Sequence, residues 1–139
     1  MPVTDWQRLG VMPRHGSLPQ GGMQASVILP QGHRGPAFMI FPNFRVLFDW
    51  NQSFTYVVTA AYFATRLEGA PIYDAGNPEQ GLEREQMREL QRRLQARGLN
   101  TGGTTGILGA NTRAAVQDIQ AQLGLPADGW PTPDLLRRL

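Results

Sequence analysis

The sequence predicts a mainly α protein, in which a C-terminal bundle of three short helices follows a β-hairpin and one long helix. Two observations carry that prediction. The stretch from Leu82 to Leu139 repeats one turn-and-helix phrase: Gly98-Leu99, Thr105-Gly106-Ile107-Leu108-Gly109, Thr112 and Ala115-Val116 return as Gly124-Leu125, Asp128-Gly129, Thr132 and Leu135-Leu136. In each copy a Gly ends one helix and a Thr opens the next, so two tight loops join three helices. Upstream, two short β-branched apolar runs precede a long segment whose apolar residues fall at helical spacing.

Residues 1–24 are polar and rich in Gly and Pro, with Trp6, Leu9, Val11 and Met12 as anchors, and are expected to be ordered coil. Ala25–Leu29 and Ala37–Phe41 read as strands around the loop from Pro30 to Pro36. Asn43 is placed to cap a helix over Phe44–Leu67, which Glu68-Gly69-Ala70-Pro71 stops. Its apolar side chains, Leu47, Phe48, Trp50, Phe54, Val57, Val58, Ala61 and Phe63 among them, nearly encircle the axis. Such a helix needs burial on most sides, more than a hairpin and coil provide, so residues 1–70 are expected to be the end of a larger domain. Residues 71–81 carry Pro71, Gly76, Asn77, Pro78 and Gly81 and read as a linker.

Residues 82–139 form the bundle. Met87, Leu90 and Leu94 mark the inner face of its first helix, with Gly98 as the stop. Thr112 or Asn111 is expected to cap the second helix, with Val116, Ile119 and Leu123 inward and Gly124 at its end. Thr132 with Pro133 at the first helical position opens the third, which carries Leu135, Leu136 and Leu139.

Composition narrows the function classes. In 139 residues, 41% hydrophobic and 17% charged side chains describe a folded chain, not a disordered one. The absence of cysteine excludes a disulfide framework or thiolate zinc site and leaves the compartment open. A pI of 9.7 suggests nucleic-acid binding, but the net charge is only +2. Every basic side chain is Arg, which raises the pI without a strong positive field, so no nucleic-acid partner is expected. The most apolar stretch, Val57–Ala64, is far shorter than the roughly 20 residues of a membrane-spanning helix, and the N-terminus lacks the basic start and apolar run of a signal peptide. His15 and His33 sit alone in Gly-rich coil, read as surface histidines, and no metal or cofactor is expected.

The spacing Met87-x-x-Leu90-Gln91-x-x-Leu94-x-x-x-Gly98, then Thr105-Gly106-x-x-Gly109-x-x-Thr112-x-x-Ala115-Val116-x-x-Ile119-Gln120, then Gly124-Leu125-x-x-Asp128-Gly129, resembles the peptidoglycan-binding type 1 domain. Two departures stand out. Thr105 occupies the place of the family's first Asp, and the second loop is shorter than the first. The front half resembles the end of the catalytic domain of the membrane-bound lytic murein transglycosylase B family, through Leu29-Pro30-x-Gly32-x-x-Gly35-Pro36-Ala37-Phe38, Asn43-Phe44 and Trp50-Asn51-x-Ser53-x-x-Tyr56. Here Trp50 replaces the family's usual Tyr.

The resemblance implies a lysozyme-like α+β catalytic domain, of which this chain holds the last hairpin and helix, followed by a peptidoglycan-binding bundle. Enzymes of that family cleave the bond between N-acetylmuramic acid and N-acetylglucosamine without water: one Glu acts as acid and then base, and a 1,6-anhydro product forms. That Glu is expected upstream of this chain's matching segment, so no catalytic residue is assigned here. Asp49, Glu68, Glu79, Glu83, Glu85 and Glu89 read as solvated surface charge.

By the same resemblance Asn51, with Trp50, Ser53 and Tyr56 beside it, is expected to meet the saccharide, the amide through hydrogen bonds and Trp50 through its ring face. In the bundle, Asn111, Thr112 and Arg113 at a helix start are expected to hold a stem-peptide carboxylate, and Trp130 to stack on sugar or peptide. The expected partner is peptidoglycan, met by a monomer in the periplasm or at the cell envelope. The rival reading is a protein-interaction module that docks a partner in a groove of the bundle.

Overall fold

A computed structural model of the chain describes residues 1–51 and 53–139. The N-terminal stretch, expected to be coil, begins with a short helix, α1 (Val3–Arg8), whose Val3 is wholly buried. Pro2 sets its entry, and the chain returns so that Val3 N–H donates to Met23 O (2.9 Å) and Ala25 N–H to Met1 O (2.9 Å). The Trp6 indole locks the return by donating to Ala25 O at 3.0 Å.

The hairpin pairs β1 (Ser26–Ile28) with β2 (Phe38–Ile40) antiparallel, Val27 opposite Met39. Both strands are shorter than expected. Pro30 and Pro42 have no N–H to extend the ladder. Between the strands the loop folds in two turns, Gly32 N–H to Leu29 O and Gly35 N–H to Gly32 O.

The predicted long helix is two helices, α2 (Phe44–Trp50) and α3 (Phe54–Leu67). Asn51 is extended (φ −146°, ψ 125°), and its side-chain Oδ1 accepts Ser53 N–H at 2.8 Å. Ser53 Oγ in turn accepts Tyr56 N–H, so Ser53 caps α3. Short polar side chains compete with helical backbone bonds in this way, which periodicity alone does not reveal. Phe44, Phe48 and Phe54 pack across the break, with centroids 5.6 and 6.3 Å apart. On α3 only Val57 is fully buried among the described residues, while Val46, Trp50, Phe63 and Leu67 stay exposed, which leaves the helix pair with an open apolar face.

Residues 71–81 lie against the hairpin loop. Asn77 N–H donates to Arg34 O (2.9 Å), and Tyr73 joins Phe38 and Tyr62 in an aromatic cluster with centroids 4.9 to 6.3 Å apart.

The bundle consists of α4 (Arg84–Ala96), α5 (Ala110–Gln122) and α6 (Pro133–Arg138). Met87, Leu90, Leu94, Ala115, Val116, Ile119 and Leu135 form its core. Both long helices end alike: Gly98 N–H bonds to Gln95 O and Leu99 N–H to Leu94 O, and Gly124 and Leu125 repeat the pair on Ala121 and Gln120. This is the Schellman closure that the Gly-Leu dipeptides predict, with Gly98 at φ 81° and Gly124 at φ 67°. The start of α6 is as expected, with Pro133 in the first turn and Thr132 Oγ1 accepting Leu135 N–H. The start of α5 is not. The helix begins at Ala110 with Gly109 as its cap, and Thr112 points inward, where its hydroxyl donates to Thr101 O (2.9 Å) and accepts from Gln91 Nε2 (3.1 Å).

Candidate ligand-binding cleft

Each repeated loop is clamped by a buried glutamine on the preceding helix. Gln91 accepts Gly106 N–H (2.9 Å) and donates to Ile107 O (3.0 Å); Gln120 accepts Gly129 N–H (2.9 Å) and donates to Trp130 O (3.2 Å). Thr105 and Asp128 precede those glycines and make the same local turn, each accepting the N–H two residues on. Thr105 therefore replaces the family's Asp as a turn acceptor, and the loop loses only the charge.

In the second loop the charge is engaged by the front half. Asp128 Oδ2 accepts His33 N–H at 2.9 Å and the His33 ring Nδ1–H at 2.7 Å. Burial pushes the Asp128 carboxyl upward, but the His33 ring and backbone, Trp130 N–H and the Gln120 amide outweigh it and hold the group below its ordinary range. His33, read from sequence as a lone surface histidine, thus joins hairpin loop to bundle. Trp130 completes the joint: its side chain lies against Gly32 and Gly81, where an added Cβ would come within 2.8 Å of its Cβ and 2.7 Å of its ring respectively, and its indole N–H donates to Glu79 O at 2.9 Å.

Arg113 on α5 crosses the same joint. Its Nη2 donates to Pro30 O (2.8 Å), and its guanidinium carbon lies 4.6 Å from the Phe54 ring centroid and 6.0 Å from that of Trp130. Among the described residues it has no ion pair, and its buried Nε has no hydrogen-bond partner. Burial lowers its pKa, with the Asp128 charge opposing.

Beside this joint runs a cleft of about 580 Å³. Phe54, Val58, Thr59 and Tyr62 line it from the front half, Met87, Ile107 and Leu108 from the bundle, and Arg113 and Trp130 are part of its lining. The structure therefore brings Arg113 and Trp130 together. It places Asn111 on the surface against Gly102, and Thr112 in the core. Trp50, Asn51, Ser53 and Tyr56 gather at the α2–α3 junction, where Trp50 is 73% exposed and its ring lies 5.6 Å from that of Tyr56. Neither Trp50 nor Tyr56 lines the cleft. The cleft residues on α3 carried no separate signal in sequence, because a wall of a groove and a face of a core share one periodicity.

Four carboxyls are held below their ordinary range: Asp74 by the Gly76 N–H and Arg14, Glu89 by Arg93 and Arg92, Asp134 by Arg138 and Arg137, and Asp128 as above. Among the described residues no cluster of His and acidic side chains is arranged to hold a metal ion, and no helix is long and apolar enough to cross a membrane.

Comparison with known families matches residues 83–139 to the peptidoglycan binding domain and residues 1–65 to the transglycosylase SLT domain. The two matched segments follow one another on the chain, the transglycosylase match first. Among solved structures it is similar to SltB3 from Pseudomonas aeruginosa in complex with NAG-anhNAM-pentapeptide, at 45% identity and a TM-score of 0.80 over 99% of this chain. The complex of SltB3 with NAG-NAM-pentapeptide gives 44% identity and the same TM-score over 99% of this chain. The chain spans 38% of the length of each SltB3 chain. No curated protein matches it. The likeness places the hairpin and the broken helix in a lysozyme-like transglycosylase fold, and the cleft lies between SLT segment and binding domain.

Proposed function

We propose that the chain binds peptidoglycan as the non-catalytic C-terminal portion of a lytic transglycosylase whose parent protein, at the periplasmic face of the cell envelope, converts MurNAc–GlcNAc bonds to 1,6-anhydromuropeptides. The observation that carries this reading is the order of two matches on one chain, an SLT segment followed by a peptidoglycan binding domain. The similar SltB3 structures hold saccharide–peptide ligands, which supports a substrate of that class.

A general acid for this chemistry needs a carboxyl raised toward neutrality in a dry cleft. The downward shifts of Asp74, Glu89, Asp128 and Asp134 describe paired or hydrogen-bonded carboxylates instead. With the family's Glu expected upstream of the matching segment, the reading assigns the chain positioning and binding. Trp50 and Tyr56 offer exposed rings to a pyranose, with Asn51 and Ser53 at the same junction. Asn111, Thr112, Arg113 and Trp130 mark the binding domain's side, with Thr112 acting through the core. Binding by one such monomeric unit is weak and works by keeping a tethered enzyme on its polymer.

The test incubates purified chain with sacculi and then pellets them. The chain is expected in the pellet, with no anhydro-muropeptides in the supernatant. Chain left in solution overturns the binding role, and anhydro product overturns the non-catalytic one.

A further inference from the structure

Arg113 is a half-buried cation with no carboxylate partner among the described residues, set at a cleft whose walls come from two different families' segments. A guanidinium taken from water is costly unless an anion or several acceptors meet it. Among the described residues Pro30 O is the one acceptor of its hydrogen bonds, and the nearby Asp128 carboxylate is already engaged by His33, Trp130 and Gln120. The remaining lining is mostly apolar, with hydroxyls and the Gln31 amide interspersed: Val58, Thr59 and Tyr62 come from α3, Ile107 and Leu108 from the first repeated loop. At about 580 Å³ the cleft falls within the roughly 300–1,000 Å³ of typical small-ligand sites.

We infer that this cleft is a composite site for a peptide carboxylate, with Arg113 holding the anion and α3 and the Thr105–Leu108 loop clasping a short chain of small apolar residues. Charge complementarity selects the occupant. An uncharged sugar ring leaves the guanidinium unpaired, whereas a carboxylate gives it the charge-assisted bonds it lacks. Neither segment alone builds the site, since Phe54, Val58 and Thr59 belong to one and Arg113 and Ile107 to the other. The inference deepens the peptidoglycan reading and rests on it: the stem peptide is the part of that polymer that carries carboxylates, so the glycan would lie outside this cleft.

The test measures binding of a fluorescent pentapeptide bearing a free C-terminal carboxylate, and of its C-terminal amide, to the full chain. The free acid is expected to bind at least about tenfold more tightly, the scale of a lost hydrogen bond to a charged group. Because the control changes the ligand, it does not depend on a variant folding. Thr59→Trp, on the exposed face of α3, is expected to weaken the free acid by a similar factor while leaving the melting temperature unchanged. Equal affinity for acid and amide, no detectable peptide binding, or indifference to Thr59→Trp overturns the inference. If sacculi still pellet the chain in any of those cases, the peptidoglycan reading stands without it; if they do not, both fall.

Discussion

His33 and Asp128 stand 95 residues apart in sequence and 2.7 Å apart in the fold. The contact ties the hairpin loop to the second repeated loop, and it is the ionised carboxylate that accepts both His33 bonds. Since the folded Asp128 pKa is depressed, its contribution is complete above the unfolded value of about 3.9 and is lost as pH falls through the lower, folded value. Asp128→Asn is expected to cost about 1–3 kcal/mol at pH 7. Urea midpoints should show the gap between wild type and variant closing as pH drops from about 4 toward 2.

The glutamine clamps predict equal penalties at two distant positions. Gln91→Leu and Gln120→Leu each leave a glycine N–H and a carbonyl without their partner, at Gly106 and Ile107 or at Gly129 and Trp130. Each change is expected to lower stability by about 2–3 kcal/mol, read by chemical denaturation. Substitution of the exposed Gln117 is expected to stay within about 0.5 kcal/mol.

Two glycines of similar φ should separate by their surroundings. Gly98 (φ 81°) faces open space, so Gly98→Ala is expected to cost only the left-handed backbone, about 1–2 kcal/mol. At Gly106 (φ 76°) an added Cβ would stand 2.8 Å from the Arg84 carbonyl oxygen, which is backbone and has no rotamer to escape into. Gly106→Ala is expected to cost clearly more, about 3 kcal/mol, in the same melting experiment.

Trp130 should hold the 71–81 segment in place. Trp130→Ala removes the ring between Gly32 and Gly81 and the bond to Glu79 O. A cost of about 2–3 kcal/mol is expected, below the roughly 3–5 of a fully buried aromatic because the ring is only partly covered. Limited proteolysis should then cut within 71–81 at protease levels that leave the wild type whole.

Legibility in the sequence followed the range of the forces involved. The ends of α4 and α5 and the start of α6 were readable because each is decided within six residues, by a Gly-Leu closure or by Thr132-Pro133. The break at Asn51–Ser53 was missed because its apolar neighbours keep helical spacing through it while one amide and one hydroxyl redirect the backbone. Thr112 was expected to cap α5 but lies inside its first turn, behind the Gly109 cap, and its hydroxyl turns inward to Thr101 and Gln91, contacts that sequence does not announce. The joint was least visible. His33, Pro30 and Phe54 meet Asp128 and Arg113 only in the folded chain, and none of them has a local signature of that role.

The central claim, that SLT segment and binding domain act as one docked unit with a shared ligand cleft, is tested most directly by hydrogen exchange of the full chain with and without soluble muropeptides from digested sacculi. Protection is expected to rise together in α3, at Phe54–Tyr62, and in the first repeated loop and the start of α5, at Thr105–Arg113. Protection confined to one of those segments, or to neither, would contradict it.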